Sequence, residues 1–235
     1  VDTTFVADAT TATLAAGDLT VTTNNAVANG EATNAVRALV RDANGNPVSG
    51  VEVAFAASNG AALSAANVTT GDDGVAVVTL TNTAAGVAQV TATVGDVSQR
   101  VDTTFVAGAP ATAGSTLTAG TASIVAGGAG SVITLTLRDA NNNPVTGQTV
   151  TFASTLAGGN FTTVQANADG TYTSTFTGTT VGTASITARV GGNAFAVTAV
   201  NVTVTAGAPV AAQSTLVANP TSIVADGRST STITL

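Results

Sequence analysis

Two short runs of acidic and amide side chains are the residues of this sequence that could hold a metal ion. They share the D-x-N-x-N spacing that begins an EF-hand calcium loop, and they comprise Asp42, Asn44 and Asn46 and then Asp139, Asn141 and Asn143. The first run departs from that loop further on, because Pro47 stands in place of the required Gly and Val53 in place of the bidentate Glu. The same residues are typical of a turn between strands, with Asx hydrogen bonds and a rigid Pro. We favour the turn and keep calcium as the alternative.

Carboxylates near the expected domain ends form a second, looser set of metal candidates. A calcium ion held between neighbouring domains would stiffen a chain of domains by chelation, since Ca²⁺ prefers carboxylate oxygens. The acidic residues considered for such a site are Asp8, Asp18, Asp96, Asp102 and Asp226. The sequence does not constrain the geometry of such a site, so it also stays an alternative.

The sequence lacks the side chains on which most catalytic sites depend. It has no His and no Cys, so there is no imidazole base and no thiolate nucleophile, and a Ser without a positioned base is inert. Most of the 13 acidic residues fall at turns or on the polar phase of strands, as Asp72 and Asp73 do before Gly74. We therefore expect a protein that is not an enzyme and has no cofactor, the calcium considered above excepted.

Composition also disfavours nucleic acid and membranes as partners. The net charge is -7, and all six basic residues are scattered Arg, whereas phosphate binding needs clustered basic side chains. No apolar stretch approaches the roughly 20 residues of a membrane-spanning helix. The chain is rich in Val and Thr, and its 25 Gly and 3% aromatic residues favour strands and tight turns.

A tandem repeat of about one hundred residues must position the two acidic turns. Three independent segments return at nearly the same spacing: VDTTFVADA at 1–9 as VDTTFVAGA at 101–109, RDANGNPV at 41–48 as RDANNNPV at 138–145, and STLTAGTASIVAGG at 115–128 as STLVANPTSIVADG at 214–227. These matches predict one complete unit at 8–107 and a second at 108–207. We expect residues 1–7 to be the last strand of a preceding unit and 208–235 the opening strands of a following one.

Within each unit, apolar and polar residues alternate with the period of a β-strand. The positions expected to face inward are Val36, Ala38, Val40, Val51, Val53, Phe55, Ala76, Val78, Leu80, Ala88, Val90, Ala92 and Val94 in the first unit and Ile133, Leu135, Leu137, Val150, Phe152, Tyr172, Ser174, Phe176, Ala184, Ile186, Ala188 and Val190 in the second. Turn residues separate these strands about every ten residues, which is the pattern of a sandwich. The fold prediction is therefore all-β, with tandem immunoglobulin-like antiparallel β-sandwich domains arranged end to end.

The order of these motifs resembles the bacterial immunoglobulin-like domain group 1 (Big-1), the repeats of intimin- and invasin-type surface adhesins. The motifs are STLxAxxxSIVAxG, ITLTLRDANxNPVxGxxVxF, a D-G turn and GxAxIxARV. The residues that carry the resemblance are Ser115, Leu117, Ser123, Ile124, Val125, Arg138, Asp139, Asn143, Pro144, Gly147, Phe152, Gly170, Ala184 and Ile186, together with Arg41, Asp42, Asn46, Pro47, Gly50, Phe55 and Gly74 in the first unit. The resemblance implies an exported protein at the bacterial surface, whose repeats hold a distal binding domain away from the cell.

We therefore expect a structural stalk or spacer segment of a bacterial surface adhesin or extracellular fibre, with its anchor outside this sequence. Short junctions join the units, and Pro110 and Pro209 restrict the backbone there. The expected partners are neighbouring repeats of the same chain and a host-cell or surface receptor, which a domain outside this sequence would contact.

Two other functions stay open at this point. The first is a subunit of a homo-oligomeric filament or phage fibre, in which the incomplete terminal segments exchange β-strands between chains. The second is a direct ligand-binding module, which would need an exposed aromatic or apolar patch. Tyr172 and seven Phe, several of them expected in the core, give that second function little support.

Overall fold

The alternation of apolar and polar residues produces 20 β-strands in a computed structural model, which describes residues 1–235. The first 18 strands form two sandwiches, each closed around its own apolar cluster, and the last two form a separate hairpin. We call residues 19–106 the first sandwich and residues 111–205 the second sandwich. No helix of the structure has the length and apolar character needed to cross a membrane.

The first sandwich consists of a four-stranded and a five-stranded sheet. One sheet has the order β1-β3-β7-β5 and the other β2-β9-β8-β4-β6. The strands are β1 (Leu19–Thr23), β2 (Ala26–Val27), β3 (Asn34–Leu39), β4 (Glu52–Ala57), β5 (Ala62–Leu63), β6 (Asn67–Thr69), β7 (Val75–Thr81), β8 (Gly86–Val94) and β9 (Val97–Val106). All neighbours are antiparallel except β2 and β9, which pair in parallel.

The second sandwich repeats this topology except for one strand. The counterpart of β6, which is β15, pairs in the opposite sheet. Its sheets have the orders β10-β12-β16-β14, with β15 also on β16, and β11-β18-β17-β13. The strands are β10 (Ala111–Ala119), β11 (Ser123–Val125), β12 (Ser131–Arg138), β13 (Val150–Ser154), β14 (Gly159–Phe161), β15 (Gln165–Ala166), β16 (Thr171–Gly178), β17 (Gly182–Val190) and β18 (Asn193–Thr205).

The two cores contain the side chains that the alternation predicts. Ile133, Leu135 and Leu137 are fully buried, and nearly all the other expected inward positions are buried as well. Ser174 is buried with its hydroxyl donating to the Thr162 carbonyl at 2.7 Å, which satisfies this polar group inside the core. Phe152 is only half-buried, because β13 is an edge strand without a neighbour on its outer side.

The segments outside the sandwiches form little regular structure of their own. Residues 1–7 contain no strand, and a short 3₁₀ turn follows at Ala9–Thr11. A second 3₁₀ turn, Ala211–Gln213, precedes a hairpin of β19 (Val217–Asn219) and β20 (Thr232–Thr234). Within this hairpin Ala218 faces Ile233, which repeats the pairing of Ala119 with Ile133 in the second sandwich.

Candidate functional site at the repeat junction

The carboxylate of Asp139 organises the turn that follows β12. Its Oδ1 accepts hydrogen bonds from the Asn141 amide at 2.9 Å and the Asn143 amide at 2.8 Å. Its Oδ2 accepts from the Asn143 side-chain amide at 3.0 Å and from the Gly108 amide in the linker at 2.8 Å. One buried carboxylate thus fixes both the turn and the linker that enters the second sandwich.

The equivalent turn of the first sandwich has the same internal geometry. Asp42 Oδ1 accepts from the Asn44 and Asn46 amides at 2.9 and 2.8 Å. Its Oδ2 accepts from the Asn46 side-chain amide at 3.0 Å and from the Asp8 amide at 3.1 Å. Asp8 occupies the place that Gly108 holds in the second sandwich, so the D-x-N-x-N motif binds an incoming chain segment in both cases.

Asn143 connects the second sandwich to the first. Its Nδ2 donates to the Thr83 carbonyl at 2.9 Å, and its Oδ1 accepts from the Ala85 amide at 2.8 Å. Together with the bond to Asp139, these contacts use both amide protons and the amide oxygen of Asn143. Asn141 adds a third contact between sandwiches, from its Nδ2 to the Ala28 carbonyl at 3.0 Å.

Every atom that the first sandwich contributes to these contacts belongs to the main chain. Asn143 meets a carbonyl and an amide two residues apart, as a neighbouring strand would. Asn143 is 7% exposed and Asp139 2% exposed, whereas Asn44 and Asn46 are exposed. The junction therefore buries a polar network whose members are paired, which is the arrangement that makes such a network rigid.

Hydrogen bonding keeps both turn carboxylates ionised. The Asn46 side-chain amide, together with the main-chain amides, lowers the pKa of Asp42 to about 2. At Asp139 burial opposes ionisation, but the bonds from Asn143 and Gly108 outweigh it, so the pKa of this carboxyl also lies below its usual value. Each carboxylate is therefore a stable acceptor at neutral pH.

The same contacts bear on calcium as the alternative role of these turns. In each turn both carboxylate oxygens are surrounded by N–H donors, and the side-chain amide of Asn46 or Asn143 presents its nitrogen to the Asp. Calcium needs six to eight oxygen ligands, so this donor set fits a hydrogen-bonded turn better than a metal loop. No group of three or more acidic side chains comes together in the structure.

No three of the carboxylates considered for a metal between domains come together. Asp18 pairs with Arg41 at 3.5 Å, and Asp102 lies in mid-strand, where Gln89 donates to it at 3.2 Å. Asp226 accepts from the Arg228 and Ser229 amides in its own turn, and Asp96 lies in the tight connection between β8 and β9.

The sequence identified the turn residues but not what they contact. The repeated RDANxNP motif placed Asn143 in a turn, yet its partners are the main-chain atoms of Thr83 and Ala85, which leave no trace in residue type. The signal that was present is the recurrence of Asn46 at Asn143. That recurrence is explained by the turn, because both side-chain amides donate to the Asp of their own turn, so it did not indicate the contacts across the junction.

Comparison with known proteins agrees with the two sandwiches. Residues 16–106 match the family described as bacterial Ig-like domain (group 1), and residues 111–207 match invasin, domain 3. The chain belongs to the bacterial Ig-like repeats of invasin- and intimin-type adhesins. Such Ig-like repeats are segments of proteins at the bacterial cell surface, so the chain is extracellular.

Three relatives illustrate the similarity. The inverse autotransporter adhesin YeeJ of Escherichia coli K12 is 33% identical over 192 residues, which is 79% of this chain and 8% of that protein. Invasin, a bacterial integrin-binding protein, is 41% identical, with 92% of this chain and 44% of that chain covered at a TM-score of 0.56. InvD of Yersinia pseudotuberculosis is 33% identical, with 87% and 63% covered at 0.77. These Ig-like repeats thus span only part of each relative.

Proposed function

We propose that this chain is a stalk segment of a bacterial surface adhesin that holds a binding region, located elsewhere in the protein, at a distance from the cell. Similarity to invasin, InvD and YeeJ supports a stalk and does not favour the filament subunit. The single observation that carries the proposal is the junction: Asn143 and Asn141 join two sandwiches through three hydrogen bonds to the main chain.

The geometry of the junction suits a stiff rod that can be lengthened by adding further units. Because the first sandwich offers only main-chain atoms, the contacts depend on its backbone shape and tolerate changes in its side chains. The second sandwich presents main chain at the corresponding positions near Ala126, Thr179 and Val181, and the Val181 side chain is 59% exposed. A following unit of the same kind would find the same docking surface.

The unit boundaries form part of this proposal. We assign one unit to residues 8–107 and a second to residues 108–207. The hairpin of β19 and β20 supports residues 208–235 as the opening strands of a following unit, since its register repeats that of β10 and β12. Residues 1–7 are assigned to the last strand of a preceding unit from their identity with residues 101–107.

The role we propose for these units is passive and non-catalytic. The relatives are structural adhesin proteins, and Asp42, whose carboxyl has a strongly lowered pKa, lies in a hydrogen-bonded turn rather than a cleft. A receptor, where the whole protein has one, would be bound by a region outside this sequence.

Single-molecule pulling on the chain tests the division into units. Each unit of about 100 residues should release roughly 330–360 Å of extended chain when it unfolds. We expect two separate unfolding events of that length. One event of twice the length would show that the sandwiches do not unfold independently and would contradict the proposed boundaries.

A further inference from the structure

The strand β13 has an open edge along one side of the second sandwich. It pairs with β17 on one side and with no strand on the other. The amide of Gly191 donates to the Thr149 carbonyl and that of Thr155 to the Ser185 carbonyl, so the alternate residues Val150 and Phe152 direct their N–H and C=O groups outward. These groups can receive another strand.

The first sandwich covers the same edge with a strand of its own. There β6 pairs with β4, and the Phe55 amide donates to the Ala66 carbonyl at 2.7 Å, while the Thr70 amide donates to the Val51 carbonyl at 2.9 Å. Val68, at the centre of this strand, packs against the core. The equivalent residues of the second sandwich pair instead with β16, in the opposite sheet.

Tyr172 gives a physical reason for this exchange. It stands where the first sandwich has Ala76, and its buried hydroxyl accepts from the Gln148 amide at 3.0 Å and donates to the Val145 carbonyl at 3.1 Å. In the first sandwich the Thr70 hydroxyl, carried by the covering segment, makes both bonds. In the second sandwich, Tyr172 on β16 makes these two hydrogen bonds. The segment 162–166 therefore does not have to pair with β13 to make them.

The exchange leaves a cleft of about 500 Å³ between β13 and this segment. Phe152 and Phe161 face each other across it with ring centroids 5.9 Å apart, and both are half-buried. The remaining lining residues are Tyr172 together with Thr, Gln, Val and Ala residues, and none is charged. An apolar cleft beside an unpaired strand edge suits a ligand that brings both a backbone and a side chain.

We propose that this open edge binds an extended, uncharged peptide segment as an added antiparallel strand. The peptide would carry a β-branched aliphatic residue between polar residues, because Val68 between Asn67 and Thr69 occupies the corresponding place in the first sandwich. Its backbone would pair with Val150 and Phe152, and its aliphatic side chain would enter the cleft beside Phe161. This binding site is separate from the junction and does not depend on the stalk function.

Amide hydrogen exchange on the full chain tests the proposal, with a synthetic peptide of the sequence of residues 64–70 as the probe. Saturating peptide should slow exchange at Val150 and Phe152 by about tenfold or more. The amides of Val53 and Phe55 in the same chain are the internal control and should not change, since β6 already covers them. A peptide with Val68→Asp should give no protection.

A variant of the chain completes the test. Val150→Pro removes one outward N–H from an edge position, where proline is tolerated, and should abolish protection at Phe152. Thr187→Val, exposed on the adjacent strand, should leave it intact. Absence of protection in the unchanged chain at millimolar peptide would overturn the proposal, even if the proline variant does not fold. Slow exchange at Val150 and Phe152 without peptide would also overturn it, because the chain or a second copy would then cover the edge.

Discussion

Asn143 and Asn46 occupy the same place in the repeat but have different surroundings. Both donate to the Asp that begins their turn, and only Asn143 also contacts another sandwich within this chain. Comparing substitutions at Asn46 and Asn143 therefore separates what the turn contributes to stability from what the junction contributes.

Replacing Asn143 by Ala should destabilise the second sandwich more than Asn46→Ala destabilises the first. Asn143→Ala removes its hydrogen bonds to the Thr83 carbonyl and the Ala85 amide, and each such bond contributes about 0.5–1.5 kcal/mol to stability. We expect the difference between the two variants in the free energy of unfolding to be about 1–2 kcal/mol. Urea unfolding of each variant measures it, and equal losses would show that the cross-junction bonds contribute nothing.

The pKa shifts of Asp42 and Asp139 predict how stability depends on pH. A carboxyl whose pKa is lower in the folded than in the unfolded chain binds a proton more weakly when folded. Its stabilisation is complete above pH about 4 and is lost as the pH falls through the folded pKa, which is about 2 for Asp42.

Thermal melting should therefore show a falling Tm from pH about 4 down to about 2. Asp139→Asn should weaken that fall, because an uncharged side chain has no proton to gain at this position. A pH profile of the variant that matches the unchanged chain would exclude Asp139 as a source of the dependence.

At the scale of elements, the turns that precede β7 and β16 pack against the Pro of the D-x-N-x-N turns. Gly170 has a φ of +79°, and a Cβ there would lie 2.9 Å from the Leu137 carbonyl oxygen and 3.0 Å from Pro144 Cβ. Gly191, in the β17–β18 connection, has a φ of +57° and open space around it.

Gly170→Ala should therefore be more destabilising than Gly191→Ala. Both substitutions place a Cβ in the left-handed region at about 1–2 kcal/mol, and only the first also forces the turn away from the main chain of β12. We expect Gly170→Ala to lower the Tm by several degrees more, about 4 °C for each further 1 kcal/mol. Equal Tm values for the two variants would contradict this packing account.

The strands that the sequence predicts and those that it does not differ in a physical way. Strict alternation at Ile133, Leu135 and Leu137 fixes which face is buried, so these positions were predictable. The sheet to which β15 belongs was not, because Val68 and Val164 occupy equivalent places and alternate alike. The hydroxyl of the distant Tyr172 makes the bonds that the Thr70 hydroxyl makes in the first sandwich, and the alternation does not record this replacement.

The candidate site shows the same limit. The sequence located the acidic turns through a repeated motif and left open whether they bind calcium or only close a turn. It could not reveal that Asn143 contacts a neighbouring sandwich, since residue types do not record which main-chain atoms lie opposite a side chain. The resemblance to Big-1 repeats predicted the family, and the family matches confirm it.

At the scale of the whole molecule, the central claim is that the two sandwiches form a stiff unit through Asn143. The chain has no Cys, so two introduced cysteines carry spin labels at unique positions. Val77 on β7 and Val132 on β12 are suitable because each is about half exposed, at 50% and 47%.

Electron–electron distance measurement between labels at Val77→Cys and Val132→Cys is the most direct test. We predict one narrow distance distribution in the labelled chain and a clearly broader one when Asn143→Ala is added, with Asn46→Ala leaving the distribution narrow. A broad distribution already in the chain with Asn143, unchanged by its substitution, would contradict the stiff junction and the stalk account that depends on it.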